Sequence, residues 1–418
     1  MTEEFLHYIW KYRLAYYPEY DHIEVIHPGF HNIDSGPDFF NAKIRIEGTL
    51  WSGNVEVHIL SSDWYRHGHH KDKAYDNVIL HVVYQHDEDV CNSKGIIIPV
   101  LELKGKFDEN KYKRYKYMLS NKDRIPCEKL IGDIDLKQVP LWLDRMMTER
   151  LEKKSAAIWQ LLVKNGNNTE ETFYQLMARS FGSRVNALPF ELMAKSLPLQ
   201  YLAKHKSNLL QTEALIFGQA GMLDNNFSDE YPLKLKHEYQ YLRKKLSLAP
   251  VDPGIWKFLR LRPYNFPTIR LAQFAMLVFN SSALLSKLIE ADNPHDIYQH
   301  LMVTASSYWD DHFLFDKKAK RIVKKLSDEA VNLIIINALV PFKFVYGKLM
   351  AKPEISEKAL TLLEKIPGEK NTVTEFWNKL GFMTENSYST QALLELKTSY
   401  CDLKKCLSCS IGNLILNN

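Results

Sequence analysis

The sequence predicts an α+β protein in which an N-terminal α/β domain, residues 1–108, precedes a larger all-helical domain, residues 109–418. Before residue 108 the apolar residues alternate as they do in strands, and after residue 110 they recur with the period of a helix. The frequency of histidine changes at about the same place, since ten of the fifteen histidines precede residue 90. A chain of 418 residues also exceeds the roughly 250–300 residues over which one core grows, so we expect at least two domains.

The N-terminal domain is predicted to contain a helix, three strands, a second helix and two more strands. Ser61, Ser62 and Asp63 form an N-cap cluster that favours a helix start, and the nearly continuous apolar run after Val78 is typical of a buried central strand. The predicted elements are, in order, a helix over 3–16, strands over 23–27, 39–46 and 55–60, a helix over 63–76, and strands over 78–84 and 96–103.

The second domain is predicted from amphipathic segments that prolines separate. Clear examples are the segments 141–162, 170–180, 209–218, 271–289 and 392–403. The most apolar stretch, 331–346, is interrupted by Asn332, Asn337, Pro341 and Lys343. It falls short of the ~20 apolar residues that cross a bilayer, so we expect a buried helix that leads into a turn.

The composition excludes a disordered or collagen-like chain, since hydrophobic residues make up 45% and charged residues 25%. The net charge of +4 permits a polyanionic partner without requiring one. Five cysteines, an odd number, do not form a disulfide framework, and the acidic N-terminus does not resemble a signal peptide. We therefore expect a cytoplasmic protein with reduced thiols and no membrane partner, and we leave its oligomeric state open.

Acidic and imidazole side chains occupy two consecutive predicted strands. Asp38 stands at the entry to the strand 39–46, and Glu56 and His58 share one face of the next strand because they are two residues apart. An antiparallel hairpin of these strands would bring all three together. Two carboxylates suit Mg²⁺ or Mn²⁺, and an added imidazole shifts the preference toward Mn²⁺ or Zn²⁺. The alternative is a turn residue before a solvent-facing polar strand.

The predicted helix 63–76 adds a second polar group. Asp63, His67 and His70 are spaced i, i+4 and i+7, which places them on one helix face. Asp63 and His67 would form a second metal pair or a substrate-contacting face, and the alternative for this helix is a plain polar surface. His69 is expected to point elsewhere, and His81, inside an apolar strand, is interpreted as a hydrogen-bonded core histidine.

The order of these elements resembles the PD-(D/E)xK nuclease superfamily, whose core is a helix, three antiparallel strands, a helix and a strand. Pro37-Asp38 and Glu56-Val57-His58 fall where that superfamily has its Asp and its (D/E)xK, although His58 replaces the usual lysine. The resemblance implies a restriction-endonuclease-like core and a metal-dependent nuclease. Asp38 and Glu56 would bind Mg²⁺ or Mn²⁺, and His58 would position or deprotonate the attacking water.

Two alternatives to catalysis on nucleic acid remain open. A chain that kept the fold and lost the lysine would be a non-catalytic nucleic-acid-binding protein, and a third hypothesis is a metal-dependent hydrolase of a small substrate. A second literal match, Glu102-Leu103-Lys104 with Asp87 upstream, is ranked lower because no helix and strand follow it.

Three cysteines cluster near the C-terminus. Cys406 and Cys409 have the C-x-x-C spacing of metal ligands, Cys401 precedes them, and Cys127 is the best candidate for a fourth ligand. The arrangement resembles nucleases of the same superfamily in which three late cysteines and one early cysteine hold an iron–sulfur cluster. We expect zinc or an iron–sulfur cluster here, against the alternative of small buried residues on a closing helix.

Basic residues interleaved with aromatic ones suggest a nucleic-acid partner. Arg260, Arg262 and Arg270 flank the segment 263–267, which contains Tyr264 and Phe266. Such a pattern combines phosphate contact with base stacking, and solvated helix faces are the alternative.

As a whole the chain also resembles an uncharacterised bacterial family, domain of unknown function 2851. The segments that carry this resemblance sample nearly the full length and are 36–39, 55–64, 262–267 and 400 onward. The resemblance assigns no activity.

Overall fold

A computed structural model describes residues 1–16 and 23–418. The chain forms two compact units, of which the first comprises Met1–Val139 and Lys397–Asn418 and the second comprises Pro140–Leu396. A mixed sheet lies in the first unit and the second is mainly helical, so the predicted α+β class is confirmed.

Within the described residues, the first unit holds one mixed sheet. Its strands are β1 Ile23–His27, β2 Phe30–His31, β3 Phe39–Ile46, β4 Thr49–Leu60, β5 Val78–Gln85 and β6 Val100–Glu102. The sheet order is β1-β3-β4-β5-β6, and the short β2 pairs with β3. The pairs β1–β3 and β3–β4 are antiparallel, whereas the pairs β4–β5 and β5–β6 are parallel.

The β3–β4 hairpin determines the register that matters for the site. Glu47 and Gly48 both have positive φ, 48° and 81°, which is the backbone of a two-residue type I′ turn. The turn pairs Ile46 with Thr49, and at the far end Phe39 lies opposite Val55. Asp38 therefore meets the strand that carries Glu56.

The helices are α1 Glu3–Lys11, α2 Asp63–Arg66, α3 Glu109–Ser120, α4 Pro140–Lys164, α5 Thr169–Phe181, α6 Ala187–Ser196, α7 Leu199–His205, α8 Leu209–Gln219, α9 Glu230–Leu246, α10 Pro267–Asn280, α11 Leu284–Glu290, α12 Pro294–Leu301, α13 Asp328–Ile334, α14 Val340–Leu349, α15 Pro353–Lys365, α16 Thr372–Lys379, α17 Ser387–Leu396 and α18 Ser410–Asn417. Short 3₁₀ helices include His69–Lys71, Lys73–Tyr75, Glu128–Asp133 and Cys406–Ser408.

The first unit extends past the expected boundary at residue 108 because α3 and α18 pack into it. Phe5 of α1 stacks on Tyr115 of α3, with ring centroids 5.5 Å apart. Arg114 of α3 donates a hydrogen bond of 2.7 Å to the carbonyl oxygen of Ile415 in α18. Local sequence patterns do not report such contacts between distant segments.

Several predicted elements of the first unit are wrong in extent. The first helix ends at Lys11 and not at residue 16, and the strand expected over 55–60 begins at Thr49. The helix expected over 63–76 ends at Arg66, because Gly68 adopts a left-handed φ of 80° and two short 3₁₀ helices follow. The strand expected over 96–103 is reduced to β6, since Ile97 makes only an isolated bridge with Cys91.

The second unit departs from the all-helical prediction at one hairpin, β7 His312–Leu314 and β8 Lys317–Lys318. The expected single helix over 271–289 is broken between α10 and α11, which are bent by 88°. The buried helix expected over 331–346 is part of a longer run, because a π-helical segment, Ile335–Leu339, joins α13 to α14, and the turn follows at Met350 and Ala351.

That run, Asp328–Leu349, is 22 residues long, and its most apolar 18-residue window has a mean hydropathy of 1.6. By length and composition it is the one described helix that could cross a membrane, and the bent pair α10 and α11 passes the same test if taken together. Of the most apolar window of Asp328–Leu349, 67% is buried, as in a core helix.

Candidate metal centre on the N-terminal sheet

The two predicted carboxylates are joined by backbone hydrogen bonds across β3 and β4. The backbone N–H of Asp38 donates to Oε2 of Glu56 at 3.1 Å, and the N–H of Val57 donates to Oδ2 of Asp38 at 3.0 Å. Glu56 is buried and Asp38 is half-buried. The hairpin thus fixes both side chains, and Oε1 of Glu56 is left to face the histidines.

His58 lies on the same face of β4 as Glu56, and its Nε2 is 3.5 Å from Oε1 of that residue. Its Nδ1 lies 2.9 Å from Nε2 of His81 on β5. With its proton on Nδ1, His58 donates a hydrogen bond to Nε2 of His81. The lone pair of Nε2 of His58 is then directed toward Glu56. His81 therefore orients His58 in the way that groups behind metal ligands do.

Two further histidines reach the site from the loop after α2. Nδ1 of His67 lies 3.1 Å from Nε2 of His58, and Nε2 of His69 lies 3.2 Å from Oε1 of Glu56. The ring of His69 stacks on Tyr75 with centroids 3.8 Å apart. One ligand atom each from His58, His67 and His69 lie within 4.8 Å of one another.

Burial controls the charge of the groups inside the cluster. It raises the pKa of Glu56, as does the nearby charge of Asp38, while the hydrogen bond with His69 lowers it. Burial, together with neighbouring histidines, lowers the pKa of His58 to about 2 and that of His81 to about 3. His58 and His81 are therefore neutral at pH 7, and a neutral imidazole is the form that binds metal.

The donor spacing fits a divalent metal ion. Four ligands arranged tetrahedrally about 2.0–2.1 Å from an ion are about 3.3 Å apart. Three of the six distances among the ligand atoms of Glu56, His58, His67 and His69 are 3.1, 3.2 and 3.5 Å, and the atoms of the three histidines lie within 4.8 Å of one another. Nε2 of His69 is buried beside Oε1 of Glu56, 3.2 Å away. Three imidazoles with one carboxylate suit zinc, manganese or iron, whereas Mg²⁺ prefers oxygen.

The expected helix face of Asp63, His67 and His70 does not exist, because α2 is only one turn long. Asp63 accepts the N–H of Leu60 at 3.1 Å and pairs with Arg66 at 2.9 Å. His70 packs on Tyr65, with ring centroids 5.0 Å apart. Of the three, only His67 reaches the cluster.

The sequence patterns missed His69 and His7. His69 was expected to point elsewhere, and its place follows from the turn at Gly68. His7 of α1 lies with Nε2 3.2 Å from Oδ2 of Asp38. The only signal for either residue was the density of histidine before residue 90.

His81 was interpreted as a hydrogen-bonded core histidine, and it is completely buried. Its Nε2 is bonded to His58, but its Nδ1 makes no hydrogen bond within the described part of the chain. The rival ExK match does not converge, since Asp87 binds the Ser61 and Ser62 hydroxyls at 2.8 and 2.7 Å.

The arginines expected to bind nucleic acid differ in exposure. Arg260 and Arg262 are exposed. Arg270 is buried and donates to Asn265 and Gln273 at 2.7 and 3.2 Å, and burial lowers its pKa to about 10. Arg270 thus stabilises the second unit internally and is not presented to a phosphate backbone.

All four cysteines proposed as ligands, Cys127, Cys401, Cys406 and Cys409, belong to the first unit. Cys401 is half-buried and the other three are buried.

A family model described as protein of unknown function (DUF2851) matches residues 3–372. No curated protein matches the chain, and no solved structure matches it.

Proposed function

The chain belongs to the DUF2851 family, and we propose that its N-terminal unit is a metal-dependent hydrolase of nucleic-acid phosphodiester bonds. The observation that carries this proposal is the convergence of Glu56, His58, His67 and His69 beside Asp38. The buried carboxylate of Glu56 and the buried neutral imidazoles of His58 and His81 make a poor core by themselves, because Nδ1 of His81 has no hydrogen-bond partner among the described residues.

In this proposal Glu56, His58, His67 and His69 hold the metal ion. When bound, such an ion polarises a phosphoryl oxygen and lowers the pKa of a bound water. Nε2 of His81 accepts a hydrogen bond from the protonated Nδ1 of His58, which leaves the lone pair of His58 Nε2 free for the ion. The stacked ring of Tyr75 holds His69 in place.

Asp38 and His7 form a second pair that can handle a proton. Oδ2 of Asp38, which already accepts the N–H of Val57, lies 3.2 Å from Nε2 of His7. A carboxylate in this position orients an imidazole and stabilises its protonated form, so that the opposite ring nitrogen can accept a proton from water. Both side chains are partly exposed, 20% for His7 and 24% for Asp38, and are therefore open to substrate.

Nucleic acid is the proposed substrate because of the topology. The helix, three antiparallel strands and following parallel strand of the first unit support the PD-(D/E)xK resemblance, with Asp38 at the start of one strand and Glu56 on the next, although the second helix of that core is reduced to the single turn α2. His58 takes the place of the lysine and is buried among imidazoles, so no fixed cation stands there. We infer that this replacement moves the metal preference from Mg²⁺ to Mn²⁺ or Zn²⁺.

The test is cleavage of supercoiled plasmid, single-stranded DNA and RNA with Mg²⁺, Mn²⁺ and Zn²⁺. Wild type should cleave at least one substrate with Mn²⁺ or Zn²⁺, and Glu56→Gln should reduce the rate by about 100-fold or more, since it weakens the metal site. Glu102→Gln, a matched change on β6, should leave the rate unchanged.

The other outcomes separate the rival functions. Binding of nucleic acid with a strong salt dependence but without cleavage would indicate a non-catalytic binding protein. Metal binding that Glu56→Gln abolishes, without cleavage or binding of nucleic acid, would indicate a hydrolase of a small substrate. Equal rates for wild type and Glu56→Gln would contradict the site itself.

A further inference from the structure

Four cysteines from distant parts of the chain meet in the first unit. Cys127 immediately precedes the 3₁₀ helix Glu128–Asp133, Cys406 begins the 3₁₀ helix Cys406–Ser408, and Cys409 is the residue before α18. Cys401 ends the π-helical segment that leads into this turn. Each cysteine thus stands at the end of a helical segment, where the backbone is not committed to a long helix.

The C-terminal segment is held against residues 109–133 by polar contacts. Asn418 donates to the carbonyl oxygen of Asp133 at 2.9 Å, and Lys111 donates to that of Leu416 at 2.9 Å. Lys404 donates to the carbonyl oxygen of Leu119. These contacts dock α18 and the turn before it beside the helix that follows Cys127.

Gly412 allows the close approach of α18 to the Cys406 turn. A Cβ atom at this position would lie 2.1 Å from the carbonyl oxygen of Cys406, a distance that no side chain tolerates. The N–H of Cys409 donates to the same carbonyl at 3.3 Å. The turn between the two cysteines is therefore tight and packed from both sides.

The four thiols are close enough to affect one another electrostatically. Burial raises the pKa of Cys127 well above its usual range, and Cys409 and Cys406 raise it further. Burial, then Cys127, Cys409 and Cys406, do the same for the pKa of Cys401. Burial and Cys409 raise the pKa of Cys406 to about 12. Each of the six pairs among these four cysteines interacts electrostatically, which places the thiols near one another, while Lys397 and Lys404 act in the opposite direction on Cys401 and Cys406.

The fifth cysteine provides a contrast. Cys91 lies elsewhere in the first unit, with Sγ 3.6 Å from the hydroxyl of Tyr65 and its carbonyl oxygen accepting from the Trp64 indole at 3.0 Å. It serves as a matched control for the other four.

We propose that Cys127, Cys401, Cys406 and Cys409 bind a thiolate-coordinated metal centre, either one zinc ion or one iron–sulfur cluster. Four cysteine sulfurs complete the ligand set of both, and a site filled by four protein ligands is structural. It would fasten the C-terminal segment to the first unit, and it is independent of the histidine centre. Residues 401–409 lie beyond the segment 3–372 that the family model matches.

The test is elemental analysis of the full chain purified anaerobically, in a His69→Ala background that weakens the histidine centre. We expect about one zinc or about four irons per chain, the latter with visible absorbance. Cys91→Ser should keep this metal, whereas Cys127→Ser and Cys406→Ser should lose it. Nuclease activity is not measured, so failure here leaves the proposed function standing.

A mercurial titration of the intact chain covers the case in which the serine variants fail to fold. Modification of four thiols should release the metal in proportion, because the mercurial and the metal compete for the same sulfur atoms. The proposal would be overturned by a folded chain that contains no zinc or iron and takes up neither metal on anaerobic reconstitution. In such a chain the mercurial would modify the thiols without releasing metal. Metal retained in full by Cys406→Ser would overturn it as well.

Discussion

Replacing His69 by alanine should remove one of the four donors of the histidine centre, whereas the same change at His70 should leave the centre intact. Nε2 of His69 lies 3.2 Å from Oε1 of Glu56, while the ring of His70 packs on Tyr65. The two histidines are adjacent in the chain and lie in the same 3₁₀ helix, so the pair controls for charge, size and position.

The size of the effect follows from binding to the native state. Mn²⁺ at about 1,000 times its Kd adds about 4 kcal/mol to the free energy of unfolding. Loss of a residue that hydrogen-bonds to a metal ligand weakens metal binding by about 10–100-fold. Loss of the ligand itself should therefore weaken metal binding by at least about 100-fold. The same Mn²⁺ is then only about 10 times Kd and adds about 1.4 kcal/mol. His69→Ala should therefore lose roughly 2.7 kcal/mol of metal-dependent stability.

The measurement is denaturation of each variant with Mn²⁺ and with chelator. Mn²⁺ is chosen because thiolates prefer softer metals, which keeps the cysteines out of the result. The difference between the two conditions must be compared, since alanine at position 69 also removes the stacking on Tyr75 and destabilises the metal-free protein. Equal Mn²⁺ responses in wild type, His69→Ala and His70→Ala would refute the donor assignment, as would a larger loss at His70.

Three further outcomes are expected. Burial raises the pKa of Glu213 to about 7, so the folded state binds the extra proton and stability falls as pH rises from about 4.5 to 7. In urea denaturation, the free energy of unfolding of Glu213→Gln relative to wild type should thus increase by about 2 to 3 kcal/mol from pH 5 to pH 8. A difference that does not change with pH would contradict the raised pKa as its cause. Gly412→Ala, which clashes with the Cys406 carbonyl, should lower stability by on the order of 2 kcal/mol, whereas Gly132→Ala, with open space around its Cβ, should not. Arg262→Ala should reduce the slope of log Kd for nucleic acid against log salt by about 1 if the exposed arginine contacts phosphate, and an unchanged slope would remove it from the interface.

Local patterns predicted the parts of the sheet and of the site that depend on short-range geometry. Glu56 and His58 share a face because strand side chains alternate, and the turn at Glu47 and Gly48 places Asp38 across from them. The first fact follows from a period of two, whereas the second also depends on a bulge between Phe39 and Ala42, where Asn41 has a φ of 57°. The buried run of β5 was predicted for the same reason, since its apolar residues are nearly continuous.

The histidine loop could not be predicted in this way, because one glycine conformation decides it. With helical spacing His67 and His70 would share a face, but the left-handed φ of Gly68 rotates the chain and exchanges His70 for His69. The role of His7 depends on the packing of α1 against the sheet, and that of Cys127 on the docking of α18. These contacts join segments far apart in sequence, which a local pattern does not report.

The role of Asp38 distinguishes the sequence hypothesis from the geometry and can be tested by Asp38→Asn. Asparagine keeps an oxygen that can accept the N–H of Val57 but removes the charge 3.2 Å from Nε2 of His7. If Asp38 orients His7, the variant should keep its Mn²⁺ response and lose cleavage by about 10²–10⁴-fold, the usual contribution of a positioned base.

His7→Ala should then show the same loss, and the double variant should be no slower than either single variant, because the two residues act as one unit. If Asp38 is instead a metal ligand, Asp38→Asn should lose the Mn²⁺ response as Glu56→Gln does, while His7→Ala keeps it. Full cleavage by His7→Ala, or losses that multiply in the double variant, would show that the pair does not move the proton together.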